Sequence, residues 1–571
     1  MSTRRKKKKD EEPQRPWFKS WPENVPKHIE YPRVPLSGLL QNAAEKYPTH
    51  AALVYFDKTI TYGELDSYTN KFAAALLSLG VKKGDKVALF LPNFPQFVIA
   101  YYGAIKSGAI VTTISPLHKE REVTHQLSDS EAQTIILLDL LYPIVEKVMA
   151  KTQLKNVIVT GLKDHMPKAK ALLGSLLRKI PSRKVEYKPN VHSYLDILNS
   201  QSDRRPEVDI DPEEDLAALQ YTGGTTGTAK GAMLTHMNLV SNAVMCASWL
   251  QGNEGKETFL AVLPLFHIYG MTTGMNAPIY IGGKTVMLPT FSATSTFKAI
   301  QKHKVTVFCG APTLYSMLLD HPDLGKYDCT SVRFCISGSA PLPPEVQKRF
   351  MEVTGGVLVE GYGLTESSPV THCNPLDRSL KTVKVGSIGL PWPDTDAKIV
   401  DMETGSAEVQ PDETGEVVVK GPQVMRGYWK MPEETSAVLR NGWLYTGDIG
   451  KMDVDGYFYI TDRKKDLIKY RGYSVYPREL EDVLFEHPAV KLCGVVGKPD
   501  PVAGEVPKAF VVLKENTDAT ESDIMHFVNE KVAPYKAIRS VEIRAQLPMT
   551  LVGKVLKREL QEEEKKRSAE S

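Results

Sequence analysis

At 571 residues the chain is too long for one hydrophobic core, so several domains are expected. Hydrophobic residues make up 42% and charged residues 24%, and 71 Lys/Arg against 68 Asp/Glu leave a net charge of +3. This is an ordinary globular composition whose balance, with no nucleic-acid module in the sequence, argues against a nucleic-acid partner. Six cysteines (Cys246, Cys309, Cys329, Cys335, Cys373, Cys493) form no CxxC pair, which reads as reduced thiols in a cytoplasmic protein and argues against a disulfide framework or a zinc site.

Residues 1–35 read as a basic, Pro-rich tail. Acidic residues and prolines follow the basic run 4–9, where a signal peptide would need an apolar stretch. The run reads as a solvated tail, or as an electrostatic handle on anionic lipid at the inner face of a membrane, worth roughly 1 kcal/mol per basic residue. The apolar run 134–145 is broken by Asp139 and too short to span a bilayer.

Thr61-x-x-Glu64 forms a capping box ahead of Leu65, Tyr68, Phe72, Leu76 and Leu79, and Gly80 stops the helix. Residues 87–91 read as a buried strand, 94–106 as a helix and 109–114 as a second strand. That order predicts right-handed crossovers and a largely parallel sheet covered on both faces. The pattern resumes over 235–370. From about 385 to 460 it becomes short β segments with turns, predicting a small barrel or twisted antiparallel sheet. Asp462-Arg-Lys-Lys-Asp466 reads as a boundary. Beyond it, helices over 477–486 and 521–532 and strands over 492–497 and 509–513 predict an α+β domain, and the charged end 562–571 reads as frayed. The fold class is therefore α/β, with a large N-terminal domain (36–462) of two α/β sheets and a small β-barrel and a small mobile α+β domain (463–571).

The most informative segment is Tyr221-Thr-Gly-Gly-Thr-Thr-Gly-Thr-Ala-Lys-Gly231. Glycines let backbone amides approach an anion, hydroxyls add donors and a lysine supplies positive charge, so the loop points to a polyphosphate. It is not a Walker A loop, because Lys230 is followed by Gly231 and a second strand instead of Ser or Thr and a helix.

This loop is similar to the phosphate loop of the adenylate-forming superfamily, which includes acyl-CoA synthetases, luciferases and peptide-synthetase adenylation domains; Gly223 and Ala229 stand where Ser and Pro are commoner. Further blocks resemble that superfamily in order. Leu263-Pro-Leu-Phe-His-Ile-Tyr-Gly270 resembles the acyl-pocket block, with His267, Tyr269 and Gly270. Ser337-Gly-Ser-Ala-Pro-Leu342 resembles the segment bordering adenine, with Gly338, Ser339 and Ala340. Glu360-Gly-Tyr-Gly-Leu-Thr-Glu366 is similar to the ATP block.

The resemblance implies that Thr222, Gly223, Gly224, Thr225, Thr226, Gly227 and Lys230 hold phosphates, with Glu360, Gly361 and Gly363 flanking the base. It implies that Tyr362 stacks on adenine, Thr365 touches the α-phosphate, and Glu366 and Thr222 hold Mg²⁺. Asp448, in Tyr445-Thr-Gly-Asp448, would accept from both ribose hydroxyls, with Arg463 reinforcing it. Leu547-Pro-Met-Thr-Leu-Val-Gly-Lys554 resembles the catalytic-lysine segment, Val552 replacing the usual Ser. Lys465 would be the hinge on which the C-terminal domain turns, bringing Lys469, Gly472 and their neighbours to the coenzyme A thiol.

The implied reaction joins a fatty acid to coenzyme A. The carboxylate attacks the α-phosphorus of ATP and releases pyrophosphate, and the thiol then displaces AMP. The absent carrier domain and amine-binding aspartate argue against a peptide synthetase, while a luciferase-like oxygenase shares every block. Residues 266–276 suit an apolar tail, and the phrases 219–224, 267–270 and 424–429 are most similar to bacterial long-chain fatty-acid–CoA ligases; medium-chain and aryl acids are the alternatives. From another class, a silent lipid or nucleotide binder has no need of both Lys230 and Lys554. Similar enzymes are often homodimers.

Overall fold

The structure, a computed structural model, describes residues 15–177, 180–222, 229–471, 473–550 and 553–570. Thr61 caps the helix Tyr62–Ser78: its hydroxyl accepts from the Glu64 amide while the Glu64 carboxylate accepts from the Thr61 amide. Gly80, at φ +84°, follows its end in the conformation glycine adopts without strain. The strands Lys86–Phe90 and Ile110–Thr113 flank the helix Pro95–Lys106 and pair in parallel. They lie at the centre of a seven-stranded sheet that ends in Leu216–Thr222 and Lys230–Thr235. That last pair is antiparallel, with Thr222 opposite Lys230, so the glycine- and threonine-rich segment joins two strands as expected.

Two four-stranded sheets form a second surface. Val307 bridges them, pairing with Phe259 on one side and Phe334 on the other. The helix His236–Trp249, buried over nearly its whole length, belongs to the same large core as both surfaces. The short β segments of 396–463 form a five-stranded antiparallel sheet. After Arg463 the strands join a separate five-stranded sheet with its own apolar cluster around Ile468, Val475, Leu480 and Val495. No helix among the described residues is long and apolar enough to cross a membrane.

Two segments differ from the sequence reading. The charged end is not frayed: Lys557–Glu570 is a helix, Leu560 is fully buried, and the buried Glu564 carboxylate accepts from Lys508 Nζ at 2.7 Å. A run of charges reads as solvated, but a buried charge is tolerated where its partner is built in. Residues 15–35, grouped by sequence with the tail, contribute to the body. Trp17 is 4% exposed and packs edge-on against Phe458, and a Cβ on Gly456 would stand 2.4 Å from its Cα.

Trp17→Ala is expected to cost about 3–5 kcal/mol of unfolding free energy, the usual loss for a buried large aromatic. Urea unfolding measures it, and an unchanged midpoint would mean that this segment does not belong to the core.

Candidate active site

Asp448 and Arg463 lie opposite each other on neighbouring antiparallel strands, which is why residues fifteen apart in sequence meet. Arg463 Nε donates to Asp448 Oδ1 at 2.7 Å, and the Tyr362 hydroxyl donates to Oδ2 at 2.5 Å. Asp448 is 4% exposed. Each carboxylate oxygen has a second lone pair, so the group can still accept two hydrogen bonds. Asp448 also raises the pKa of the Arg463 guanidinium, keeping it charged in a buried setting.

Lys554, from the other side of the boundary, lies within the electrostatic influence of this pair. Its loop is closed by Thr550, whose amide donates to the Lys554 carbonyl at 2.8 Å while its hydroxyl accepts from the Lys554 amide at 3.0 Å. Gly553 has φ +75°, and a Cβ there would sit 2.0 Å from Thr313 Oγ1, so glycine is required twice over. The residue keeps solvent access, yet the surrounding protein desolvates its ammonium and the Arg463 cation repels it, lowering its pKa to about 8 against the attraction of Asp448 and Asp466. Lys465 is likewise brought down to about 8, by desolvation first and Arg463 second.

Asp462 fastens the boundary. It is 4% exposed, and its carboxylate accepts from the Arg463 amide at 2.7 Å and the Arg478 amide at 2.8 Å. Arg478 lies in the first turn of the helix Pro477–Phe485, so Asp462 satisfies an amide that the helix itself leaves open. Burial raises its pKa.

Glu366 sits in a 3₁₀ turn, Thr365–Ser367, beside the edge hairpin. Its backbone carbonyl accepts from the Met425 amide at 2.8 Å, and its Oε1 accepts from the Tyr428 hydroxyl at 2.7 Å. Glu366, Tyr428, Gly447 and Lys464 border a cleft of about 220 Å³. Thr365 begins this turn and a strand follows, so it caps no helix. Lys230 points to the same region, with its Nζ 5.2 Å above the Tyr428 ring and paired with the Glu434 carboxylate. Thr222 lies directly across the hairpin from it.

On the acyl side, His267 caps a short helix, its Nδ1 accepting from the Tyr269 amide at 3.2 Å. Burial lowers its pKa to about 4, so the ring is neutral at pH 7 with its proton assigned to Nε2. A Cβ on Gly270 would stand 2.3 Å from the Pro264 carbonyl oxygen. The Tyr269 hydroxyl donates to the Ile336 carbonyl at 2.8 Å, and its ring lies against Gly338, holding the 338–340 segment beside it. Ser339 has φ +71°, and Ala340 follows half-buried.

Glu360 turns inward and braces this segment, accepting from the Leu342 amide at 3.0 Å. Burial raises its pKa to about 7, with Arg478 opposing. Gly361 packs against Ile336, and Gly363 is so close to the Pro369 carbonyl that a Cβ would lie 2.2 Å away.

Asp448, Arg463, Tyr362 and Lys554 are thus brought together, with Lys465 beside them. Glu366, Thr365, Lys230 and Thr222 form a neighbouring group. Lys469 stands apart on the hairpin 468–475, its Nζ donating to Ser474 at 2.8 Å. Gly223, Gly224, Thr225, Thr226, Gly227 and Gly472 lie outside the described residues. Sequence reasoning missed Tyr428, Glu434 and Thr313. Tyr428 lies in the 424–429 phrase already noted, whereas the other two are met only in three dimensions.

Residues 40–429 match the model of the AMP-binding enzyme family, and 479–554 match that of the AMP-binding enzyme C-terminal domain. The chain belongs to the AMP-binding enzyme family. It is 46% identical over 557 residues to a long-chain-fatty-acid–CoA ligase of Bacillus subtilis, covering 96% of this chain and 98% of the relative. The anthranilate CoA ligase AuaEII, solved with anthranoyl-AMP, aligns at a TM-score of 0.83 and 28% identity over 94% of this chain and 98% of its own. MatB of Rhodopseudomonas palustris is 28% identical, over 92% of this chain and 98% of its own; its ATP-bound form scores 0.80 and its apo form 0.70.

In spectra of protein reductively methylated with ¹³C, Lys554 is expected to titrate near pH 8. Asp448→Asn removes an attraction for the ammonium and should lower this value, while Arg463→Gln removes a repulsion and should raise it. Shifts in the opposite directions would place Lys554 elsewhere.

Proposed function

We propose that the chain is an ATP-dependent long-chain fatty-acid–CoA ligase, with its nucleotide site between the large N-terminal body and a C-terminal domain that carries Lys554. The observation that carries this reading is the approach of Lys554 to the Asp448–Arg463 pair from across the boundary, seated by Gly553 against Thr313. The better match to ATP-bound than to apo MatB supports the same pose.

In this reading Asp448 uses its two open acceptor positions for the ribose hydroxyls, and Arg463 and the Tyr362 hydroxyl hold it in place. The Tyr362 ring is the stacking surface for adenine. Thr365 and Thr222 face the phosphates, and Lys230 exchanges Glu434 for a phosphate oxygen. The donor set beside Glu366 suits Mg²⁺. Glu366 and the Thr222 hydroxyl would hold such an ion, since a hard cation takes oxygen ligands. When bound, it neutralises charge on the phosphates.

A carboxylate is a poor electrophile, and linking it to AMP supplies a leaving group. As the fatty carboxylate attacks the α-phosphorus, negative charge grows on its equatorial and bridging oxygens. Lys554, placed before the reaction starts, meets that charge without reorganisation. The neutral His267 adds no charge that would hold the fatty carboxylate back from phosphorus. Pyrophosphate leaves, and the coenzyme A thiolate then attacks the acyl carbon and expels AMP.

Lys554 has no task in that second step. The C-terminal domain is free to turn at Lys465, which requires Asp462 to release the Arg478 amide or to carry that helix with it. The 468–475 hairpin, with Lys469, would then face the thiol.

Lys554→Ala should reduce adenylation roughly 10²–10³-fold while still forming thioester from supplied acyl-adenylate. Pyrophosphate exchange and a thioester assay separate the two steps, and equal losses would contradict the assignment. Lys465→Pro should do the reverse, sparing pyrophosphate exchange and depressing thioester formation. If both steps fall together, the hinge lies elsewhere.

A further inference from the structure

We propose that the helix Lys168–Leu176, with Leu177 at its end, forms a docking face for an anionic lipid surface. Leu172, Leu173, Leu176 and Leu177 are 74%, 56%, 79% and 52% exposed. At about 100° per residue these four leucines share an arc of about 140°. The opposite face carries small residues and meets the body. Ala171 packs against the main core, and the missing side chain of Gly174 makes room for Ile180, whose Cδ1 would lie 2.4 Å from a Cβ there. The helix is mounted with its small side inward and its large apolar side in solvent, the reverse of a helix that serves the core.

The patch continues past the helix. Lys170 Nζ donates to the Phe56 carbonyl at 3.0 Å, which brings the 45%-exposed Phe56 alongside. Exposed apolar area of this kind marks an interaction site.

Charge identifies the occupant. The described residues of 163–188 hold six Lys/Arg against two Asp/Glu, a net +4, although the whole chain is only +3. Lys168 and Lys170 fall at the two margins of the leucine arc, by the same 100° rule. Lys170 also pairs with Asp57, and Lys188 lies 3.6 Å from Glu186, while Lys168 and Lys184 are exposed. An apolar stripe edged by lysines is the pattern of a helix lying in the interfacial plane of a bilayer, leucines in the acyl boundary and ammonium groups among anionic headgroups. A second copy of this chain fits poorly, because pairing the faces would set +4 against +4. The proposal extends the fatty-acid reading, since an insoluble long-chain acid is concentrated in that same bilayer, but binding to lipid does not require the ligase activity.

The full chain is tested by co-sedimentation with phosphatidylcholine vesicles, with and without phosphatidylglycerol at roughly a third of the lipid. The unmodified protein should bind the anionic vesicles, more weakly as salt rises. Leu172→Gln with Leu176→Gln, and separately Lys168→Gln with Lys184→Gln, should each weaken binding about tenfold or more. Both variants should keep the parent's unfolding midpoint and its pyrophosphate exchange with dissolved octanoate within about twofold. Deleting residues 1–14 should leave vesicle binding in place.

No binding by the unmodified chain, equal binding by the leucine variant, or loss of binding only on deletion of 1–14 would overturn the proposal. So would a concentration-dependent dimer that the leucine variant abolishes. Failure of octanoate-dependent exchange in the unmodified chain would count against the ligase reading and leave the vesicle result standing.

Discussion

The candidate site depends on one cross-strand pair. Asp448 and Arg463 are set opposite each other by strand register, and the ion pair they form is half enclosed, where Coulomb attraction is screened less than at a surface. Everything placed beside that pair inherits its field. Tyr362 donates its proton to one carboxylate oxygen, and Lys554 has its pKa drawn down by Arg463 while Asp448 holds it up. A site built this way sets a carboxylate acceptor and the Lys554 cation under one another's influence. Arg463 is also the last residue of its strand, so the pair stands at the boundary between domains.

The C-terminal domain meets the large body at specific contacts. One is the seat of Gly553 against Thr313, where no side chain fits. Another is the Asp462 carboxylate on an amide of the following helix. Neither contact is extensively apolar. Polar contacts of that kind open at modest cost, which is compatible with the domain rotation proposed above.

Much of this was legible in the sequence because it is written locally. The capping box at Thr61, the strand–helix–strand rhythm near residue 100 and the hairpin around the phosphate segment each follow from neighbours a few residues apart. The motifs brought Asp448, Arg463 and Lys554 forward as one site although more than a hundred residues separate its members. What stayed hidden is tertiary. Nothing near Lys230 announces Glu434, and no pattern around Gly553 points to Thr313. Glu360, grouped with the nucleotide residues, turned inward because its carboxylate has an amide to satisfy at Leu342. The closing helix was misread because exposed charge and charge buried with its partner look alike in composition, and Lys508 with Glu564 is the second kind. The leucines of 172–177 carry no assignment in the sequence reading; the packing of Ala171 and Gly174 shows which side of their helix faces out.

The packed segment around Trp17 has a practical side. Besides the aromatic contact, Lys19 donates to the Val454 carbonyl and the Ser20 hydroxyl to that of Asp455 at 2.9 Å. The first described residues are thus stitched to the tight turn that leads into the strand ending at Arg463. A label placed on this packed segment is anchored to the large body, one strand away from the boundary at 462–466. Paired with a second label on the C-terminal domain, it gives a fixed reference for reading the rotation proposed above.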